Sequence, residues 1–306
     1  RIVLEANPNY WIKGQPKIQT LVFRPIQESS TRMAAIKTGE VDIVGRLSAE
    51  EAADLKGNSS IVPIKYSVDR VFYIAFNNLT SGKGQPTESP LVRQAMNYTI
   101  DVQAIIDAIF SGNARQATGY VTPGNLGYDK EIKPFGYDPQ KAKSLLQSAG
   151  YPNGFDIDFA CPAGAYTNFE QVCEAVQGFL KEVGINTKLS IMESGKYWDL
   201  ESKKQLPPLF GDSWSASFGE ALPRLKGALG GFNASYSAWS DPTIDQLLEK
   251  ISTSVDEDVR ANLYIEVQRY TQKDPPFVYL YEPAAFEAVL SNVKNYRPRA
   301  SEGYFL

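Results

Sequence analysis

Apolar and polar residues follow one another along the chain in a pattern typical of an α/β protein. The apolar run at residues 71–76 predicts a buried strand, and apolar side chains then recur at helical spacing through residues 89–110. Ser89 is placed to cap the first of two helices there, with Pro90 at its first position, and Asp101 is placed to cap the second. The sequence around residues 71–110 therefore predicts a buried strand that leads into a helix pair.

The rest of the chain alternates short strands and amphipathic helices. Strands are predicted at residues 1–5, 18–23, 41–44, 61–66, 70–76, 155–160, 185–191 and 277–281. Helices are predicted to begin near Ser30, Ser48, Ser89, Asp101, Asp138, Asn168, Asp241 and Asp256. Residues 155–191 read as a strand–helix–strand unit, for which a right-handed crossover is expected. This order of elements predicts the α/β fold class.

The composition bounds the number of domains and the kinds of partner. With 306 residues, the chain is long enough for two domains that each bury a core. Its formal net charge of −4 argues against a nucleic-acid partner or an anionic membrane surface, because either would require a basic face. No apolar run approaches the length that spans a bilayer, so no transmembrane segment is predicted.

The chain contains no histidine, which removes Ser-His-Asp and Cys-His catalysis and most zinc sites. Carboxylate catalysis remains open, and the candidate pairs for a hydrolase are Asp156 with Asp158 and Asp256 with Glu257. The simpler interpretation of both pairs is solvated charge on a strand and at the start of a helix. A purely structural or interaction domain is a third class that the sequence leaves open.

Several motifs occur in one order along the chain. NPNYW stands at residues 7–11, RMAAIKTGEVDIV at 32–44, and a strand ending in FN at 76–77 precedes VRQAMNYTID at 92–101. In this wording and order the sequence resembles the solute-binding proteins of peptide and nickel ABC importers, the class called family 5. The similarity extends, with gaps, over essentially the whole chain, and residues 159–185 resemble the matching unit of one bacterial subgroup. An Arg commonly precedes the Tyr in that subgroup, whereas Ala165 stands there in this chain.

The resemblance implies a two-lobed fold of the type II periplasmic binding protein kind, with mixed sheets flanked by helices. It implies a partial first lobe at residues 1–69, a second lobe at 70–281 and a return to the first lobe at 282–306. Lobe one is expected to be incomplete, with one sheet built from residues 1–5, 18–23 and 41–44. We expect the chain to be a C-terminal fragment that lacks the N-terminal part of that lobe.

The resemblance also implies a function. Family members are periplasmic receptors, not enzymes, that hold a peptide, an opine or a related small solute between two lobes and deliver it to ABC permease subunits. No cofactor and no metal are expected. A carboxylate-dependent hydrolase is the alternative.

Candidate ligand contacts follow from the same resemblance. Trp214 aligns with the Trp of the family's ligand cleft, although a lone Trp is also a common core residue, and its neighbours Ser213 and Phe218 are candidates with it. Ser217 falls where peptide-binding members carry the Asp that pairs with the ligand's free α-ammonium. An ammonium buried without a carboxylate is costly, so ordinary free-amine peptides are in doubt as ligands.

Three further candidates lie elsewhere in the chain. Tyr166 and Asn168 are predicted in a strand-to-helix loop, a usual place for ligand contacts in α/β folds, and Asn168 is equally explained as a helix N-cap. Arg46 follows the GEVDIVG turn and is a candidate cleft residue of lobe one, or simply a surface Arg.

Both cysteines lie in the segment that resembles the bacterial subgroup, and the subgroup carries both. Cys161 is predicted at a strand end and Cys173 in the first turn of a helix. In an oxidising periplasm this pair is expected to form a disulfide. Two buried free thiols in a cytosolic protein are the alternative.

Overall fold

The computed structural model describes residues 1–215 and 219–302, which divide into two compact units. The smaller unit is Arg1–Tyr66 with the described part of Ala285–Leu306, and the larger is Ser67–Ala284 without residues 216–218. The α-helices and strands, in chain order, are β1 (Ile2–Glu5), β2 (Thr20–Phe23), α1 (Ser29–Thr38), β3 (Ile43–Leu47), α2 (Ala49–Asp54), β4 (Ile61–Ser67), β5 (Arg70–Phe76), α3 (Pro90–Thr99), α4 (Val102–Phe110), β6 (Ala114–Gln116), α5 (Pro139–Ser148), β7 (Phe155–Ala163), α6 (Phe169–Glu182), β8 (Ile185–Glu193), α7 (Ser194–Ser202), β9 (Leu209–Ser215), α8 (Leu222–Leu229), α9 (Pro242–Thr253), α10 (Glu257–Lys273), β10 (Phe277–Tyr279) and β11 (Tyr281–Leu290).

The larger unit is built on a five-stranded mixed sheet in the order β10-β5-β9-β7-β8. β7 runs parallel to β8 and to β9, whereas β5 is antiparallel to both of its neighbours, β9 and β10. α6 connects β7 to β8, and the two strands pair in register from Phe155 with Ile185 to Ala163 with Glu193. The predicted α/β class, with a mixed sheet and flanking helices, is therefore confirmed.

One continuous core fills the larger unit. β5 is buried along nearly its whole length, because helices cover both faces of a central strand in such a sheet. α3, α4 and α6 each present an apolar stripe to this core, which includes Met96, Ile105 and Val176, all at most 2% exposed. The strand and helix pair predicted from residues 71–110 thus lies in the middle of the larger unit.

The smaller unit contains two separate sheets, which corrects an expectation. β1 and β2 form an antiparallel pair of their own, while β3 pairs with β11 in a second sheet of order β3-β11-β4. The expected single sheet of residues 1–5, 18–23 and 41–44 is therefore wrong. Its third strand instead pairs with residues Phe286, Ala288 and Val289 of β11, more than two hundred positions away in the sequence.

Helix ends match the sequence closely where a side chain caps them. The side chain of Asp101 accepts a hydrogen bond from the Ala104 N–H at 2.9 Å, and Ser48 with Glu51 forms a complete capping box. Ser89 is the N-cap residue of α3, but its side chain makes no capping hydrogen bond. Helices α7 and α8 were absent from the predicted elements. None of the described helices is both long and apolar enough to cross a membrane.

The two cysteines form the predicted disulfide. Cys161 lies in β7 and Cys173 in α6, with their Cα atoms 6.5 Å apart and both side chains fully buried. The two cysteines are 12 positions apart in the sequence, so the bond links the end of β7 to the first turns of α6 across the connection between them.

Candidate functional site

A concavity of about 310 Å³ opens at the C-terminal end of β9 in the larger unit. The last four residues of that strand line it, and the other lining side chains come from β5, the β7–α6 loop, α7 and the segment after α8. Such a position, beyond the carboxyl end of a strand in an α/β sheet, is a usual place for a ligand site. The lining residues are Arg70, Tyr166, Trp198, Asp212, Ser213, Trp214, Ser215 and Tyr236.

Aromatic rings form much of the wall. Trp214 and Tyr236 meet edge to face with ring centroids 5.7 Å apart, and Tyr166 and Trp198 do so at 6.2 Å. Trp214 packs against Gly227 of α8, where a Cβ atom would lie only 2.5 Å from its ring carbon Cζ2. The orientation of Trp214 therefore depends on the absence of a side chain at position 227.

Arg70 supplies positive charge to the lining. Its Nη1 donates a hydrogen bond to the Ser213 hydroxyl at 2.8 Å, and its guanidinium carbon lies 5.7 Å from the Tyr166 ring centroid. These contacts link β5, β9 and the β7–α6 loop around one side of the concavity.

Asp212 contributes a carboxyl group to the lining, although it is only 3% exposed. The Tyr166 hydroxyl donates to Oδ1 at 3.0 Å and the Tyr73 hydroxyl donates to Oδ2 at 3.1 Å. Burial raises the pKa of Asp212, while the Ser213 N–H and the two tyrosine hydroxyls act against that rise. Burial, and then the charge of Asp212, raise the pKa of Tyr73 and Tyr166, so both phenols stay protonated as donors.

A second carboxyl group lies beside Asp212. Glu201 is 2% exposed and sits one helical turn after Tyr197, whose hydroxyl donates to the Gly211 carbonyl of β9 at 2.6 Å. Within residues 1–215 and 219–302, no hydrogen-bond donor reaches either carboxyl oxygen of Glu201. Burial, followed by the charge and hydrogen bonding of Asp212, raises the pKa of Glu201 to about 11.

The structure brings together three of the predicted ligand residues. Trp214, Ser213 and Tyr166 all line the concavity. Ser217 and Phe218 lie outside the described residues. Whether any of these side chains contacts a ligand stays a prediction.

The other two predicted residues lie elsewhere. Asn168 is exposed, has φ 58°, and makes no side-chain cap; its Nδ2 donates weakly to the Ile109 carbonyl at 3.4 Å. Arg46 is exposed on β3 of the smaller unit, where its carbonyl accepts a hydrogen bond from Arg32 at 3.1 Å. Neither residue is among those that line the concavity.

The site contains residues that sequence reasoning missed. Asp212 interrupts the apolar strand residues 209–214, and Glu201 stands four positions after Tyr197 on the buried face of α7. An acidic residue inside a buried run is unusual enough to serve as a signal. The sequence pattern marks Arg70 only as the start of a strand, and it does not single out Trp198 or Tyr236.

The carboxylate pairs proposed for a hydrolase occupy ordinary positions. Asp156 and Asp158 are exposed on β7, and Asp256 caps α10 by accepting the Val259 N–H at 3.0 Å. Glu257 follows in the first turn of that helix. Among the described residues, no group of three or more His, Cys, Asp or Glu side chains could hold a metal ion.

Comparison with known proteins defines the class. The family model for bacterial extracellular solute-binding proteins, family 5 (middle region), matches residues 1–236. The chain therefore belongs to that family, which confirms the resemblance drawn from its motifs.

The relatives are similar over most of this chain. It is 31% identical over 282 residues to the glutathione-binding protein GsiB of Salmonella choleraesuis strain SC-B67, covering 89% of this chain and 54% of GsiB. Among solved structures, the periplasmic binding protein DppA of Helicobacter pylori, in complex with the peptide STSA, has a TM-score of 0.83 at 29% identity, covering 96% of this chain and 57% of DppA.

A second solved structure binds a different ligand. AgaA of A. tumefaciens R10, in complex with agropinic acid, has a TM-score of 0.80 at 26% identity and covers 94% of this chain and 59% of AgaA. This chain thus shares its fold with part of the periplasmic binding proteins, and it spans about half the length of the curated relatives it matches.

Proposed function

We propose that this chain is part of the solute-binding receptor of an ABC importer, and that the concavity at the end of β9 holds part of the ligand. The observation that carries the proposal is the set of lining side chains: aromatic rings beside one arginine and one buried carboxylate. Ligand sites commonly combine apolar walls with a few fixed polar groups. Residues 70–281 are taken as the lobe that carries this surface, and residues 1–69 with 282–306 as part of the other lobe.

The proposed ligand is a small solute with charged groups and an apolar portion. Relatives of this chain carry names that specify glutathione, a peptide and agropinic acid, and one scaffold can serve many such ligands. Arg70 and Asp212 offer both signs of charge within one lining, beside Trp214 and Tyr236. The proposed role is binding and delivery to permease subunits, without catalysis.

An extracytoplasmic location is part of the same proposal. The family is described as extracellular, and the disulfide between Cys161 and Cys173 is the kind of bond that persists in oxidising compartments.

A hydrolase of this kind would use two carboxyl groups that reach the substrate. Asp212 and Glu201 are the buried carboxyl pair that could be considered for this role. Glu201 does not line the concavity, and both oxygens of Asp212 are engaged by tyrosine hydroxyls. A general acid or base must come within hydrogen-bond reach of the reacting atom. The geometry therefore favours recognition over hydrolysis.

A thermal-shift screen with glutathione, the peptide STSA and agropinic acid tests the proposal. A ligand that binds only the native state stabilises it by RT ln(1 + [L]/Kd), about 2.7 kcal/mol at a hundredfold excess over Kd. Trp214→Ala should abolish the shift, whereas the control Trp11→Ala, at a side chain 82% exposed in the smaller unit, should preserve it.

Two results would contradict the proposal. One is an equal ligand-induced shift in the Trp214→Ala and Trp11→Ala variants, which would place the ligand away from the concavity. The other is the appearance of hydrolysed product when the chain is incubated with a bound probe and followed by mass spectrometry.

A further inference from the structure

Glu201 presents a hydrogen-bonding problem that its described neighbours do not solve. Its carboxyl group is 2% exposed, and none of the described residues donates to either oxygen. Leaving a buried carboxylate without donors or a counter-ion is strongly unfavourable, so a group in this position requires a partner.

Lys204, the cation whose charge lowers the pKa of Glu201, does not provide that partner. Lys204 lies three residues further along the chain, but its ammonium donates to the carbonyl of Ser235 at 2.7 Å and to that of Ala234. The group against which the Glu201 carboxyl packs is Asp212, another acceptor when ionised. Two acceptors in contact need one proton between them.

The surroundings decide which carboxyl carries the proton. Asp212 receives hydrogen bonds from the hydroxyls of Tyr73 and Tyr166 and from the Ser213 N–H, whereas Glu201 receives none from the described residues. Donors stabilise the ionised form. The titratable or charged groups around the pair are Tyr73 and Arg70 on β5, Tyr120 after β6, Tyr166 after β7, Tyr197 and Lys204 on or after α7, and Arg224 on α8.

We propose that Glu201 is a permanently protonated positioning residue, which donates its O–H to Asp212 and so holds Asp212 as a fixed anion in the lining of the concavity. Glu201 acts through Asp212, and Asp212 in turn orients Tyr166, whose ring faces the Arg70 guanidinium. The ligand group over Asp212 is then a cation or a neutral donor. The statement about the ligand group rests on the proposed function, whereas the protonation of Glu201 does not.

Infrared spectroscopy of the ligand-free chain at pH 7 tests where the proton lies. A protonated-carboxyl C=O band should be present, should be missing in Glu201→Gln, and should shift on 13C labelling of glutamate but not of aspartate. The difference spectrum against Glu201→Gln isolates this band from that of Glu282, another buried carboxyl whose pKa is raised by burial. Absence of the band, or a shift with labelled aspartate, would overturn the proposal.

The pH dependence of unfolding gives a second, ligand-free measurement. The pKa of Glu201 is raised to about 11 in the folded chain, against an ordinary value of 4.5. At any pH between these two values, the folded chain holds a proton on Glu201 that the unfolded chain releases. The unfolding equilibrium constant should therefore rise about tenfold per pH unit from about pH 6 to 9, relative to Glu201→Gln. Glu174→Gln, at an exposed site on α6, should show no such difference from the native chain.

A binding measurement tests the positioning role. The probe is the one among glutathione, the peptide STSA and agropinic acid that shifts the melting temperature of the native chain. Glu201→Gln keeps a neutral donor and should bind within about threefold of the native chain, whereas Glu201→Met, which lacks a donor, should bind at least about tenfold more weakly. Equal loss in both variants would reduce Glu201 to a packing role. If no probe binds the native chain, the proposed function fails, while the infrared result still decides where the proton lies.

Discussion

The two units of this chain bury their side chains to different extents. The larger unit has one continuous core around β5, whose strand residues from Val71 to Phe76 are at most 5% exposed. The smaller unit has a core of few residues around Ile36 and Leu55, and every residue of its strand β1 is exposed. Apolar burial is the main stabilising contribution, so the two units should differ in local stability. The concavity therefore belongs to the unit with the larger buried core.

The largest effect is expected from the core of the larger unit. Phe159 is fully buried in β7, at the centre of the parallel pairing, and Phe159→Ala should destabilise folding by about 3–5 kcal/mol. Phe232, which is 66% exposed in the same unit, provides the control, and Phe232→Ala should change the free energy of unfolding by less than about 0.5 kcal/mol. Urea unfolding followed by circular dichroism measures both. Similar losses would mean that Phe159 is not part of a tightly packed core.

The disulfide should have the next largest effect. Replacing Cys161 and Cys173 by Ala should cost about 3 kcal/mol, because the bond closes a short loop and both sulfurs are fully buried. Chemical denaturation under non-reducing conditions provides the measurement, and thiol titration of the native chain checks that the bond is present. Two reactive thiols in the unreduced native chain would contradict the structure.

A smaller effect, confined to the site, is expected at Gly227. An alanine there would place its Cβ 2.5 Å from the Trp214 ring, so Gly227→Ala should cost about 1–3 kcal/mol and alter the Trp214 environment. At Gly178, in the middle of α6, an added Cβ would meet no atom within 4 Å, so Gly178→Ala should instead stabilise by about 0.5–1 kcal/mol. Fluorescence and urea unfolding distinguish the two. If both variants were equally stable, the packing of Trp214 against α8 would be wrong.

The smallest effect is expected in the smaller unit. Leu4 on β1 is 49% exposed, and Leu4→Ala should change the unfolding free energy by less than about 0.5 kcal/mol. Hydrogen exchange should show β1 and β2 exchanging fastest and β5, β7 and β9 slowest. Equal, strong protection in the two units of the isolated chain would remove the contrast between them.

Local features of the fold could be predicted from the sequence, and long-range ones could not. The strand at 71–76 and its helix pair are set by residues a few positions apart, so their hydrophobic periodicity was enough to predict them. The caps at Ser48 and Asp101 are equally local, and the residue types there predicted them. The strand pairing of the smaller unit joins β3 to β11 across most of the chain, and no local pattern records that register.

In the candidate site, too, some residues could be predicted from the sequence and others could not. The position of Trp214 followed from the resemblance, while Asp212 and Glu201 were missed because their roles depend on two elements meeting. Glu201 lies on α7, a helix that the predicted elements did not include, and its partner lies on β9. A carboxyl group on the buried face of a helix was the available signal.

The disulfide has a consequence for proteolysis. It ties β7 to α6 around a connection whose residues Gly164, Thr167 and Asn168 are exposed to solvent and thus open to a protease. A cut there would leave the two halves of the chain covalently joined, so that the nicked molecule would migrate as one species on a gel until a reductant separated it. Tyr166 sits on this connection, and the bond between Cys161 and Cys173 would keep both cut ends attached beside the concavity.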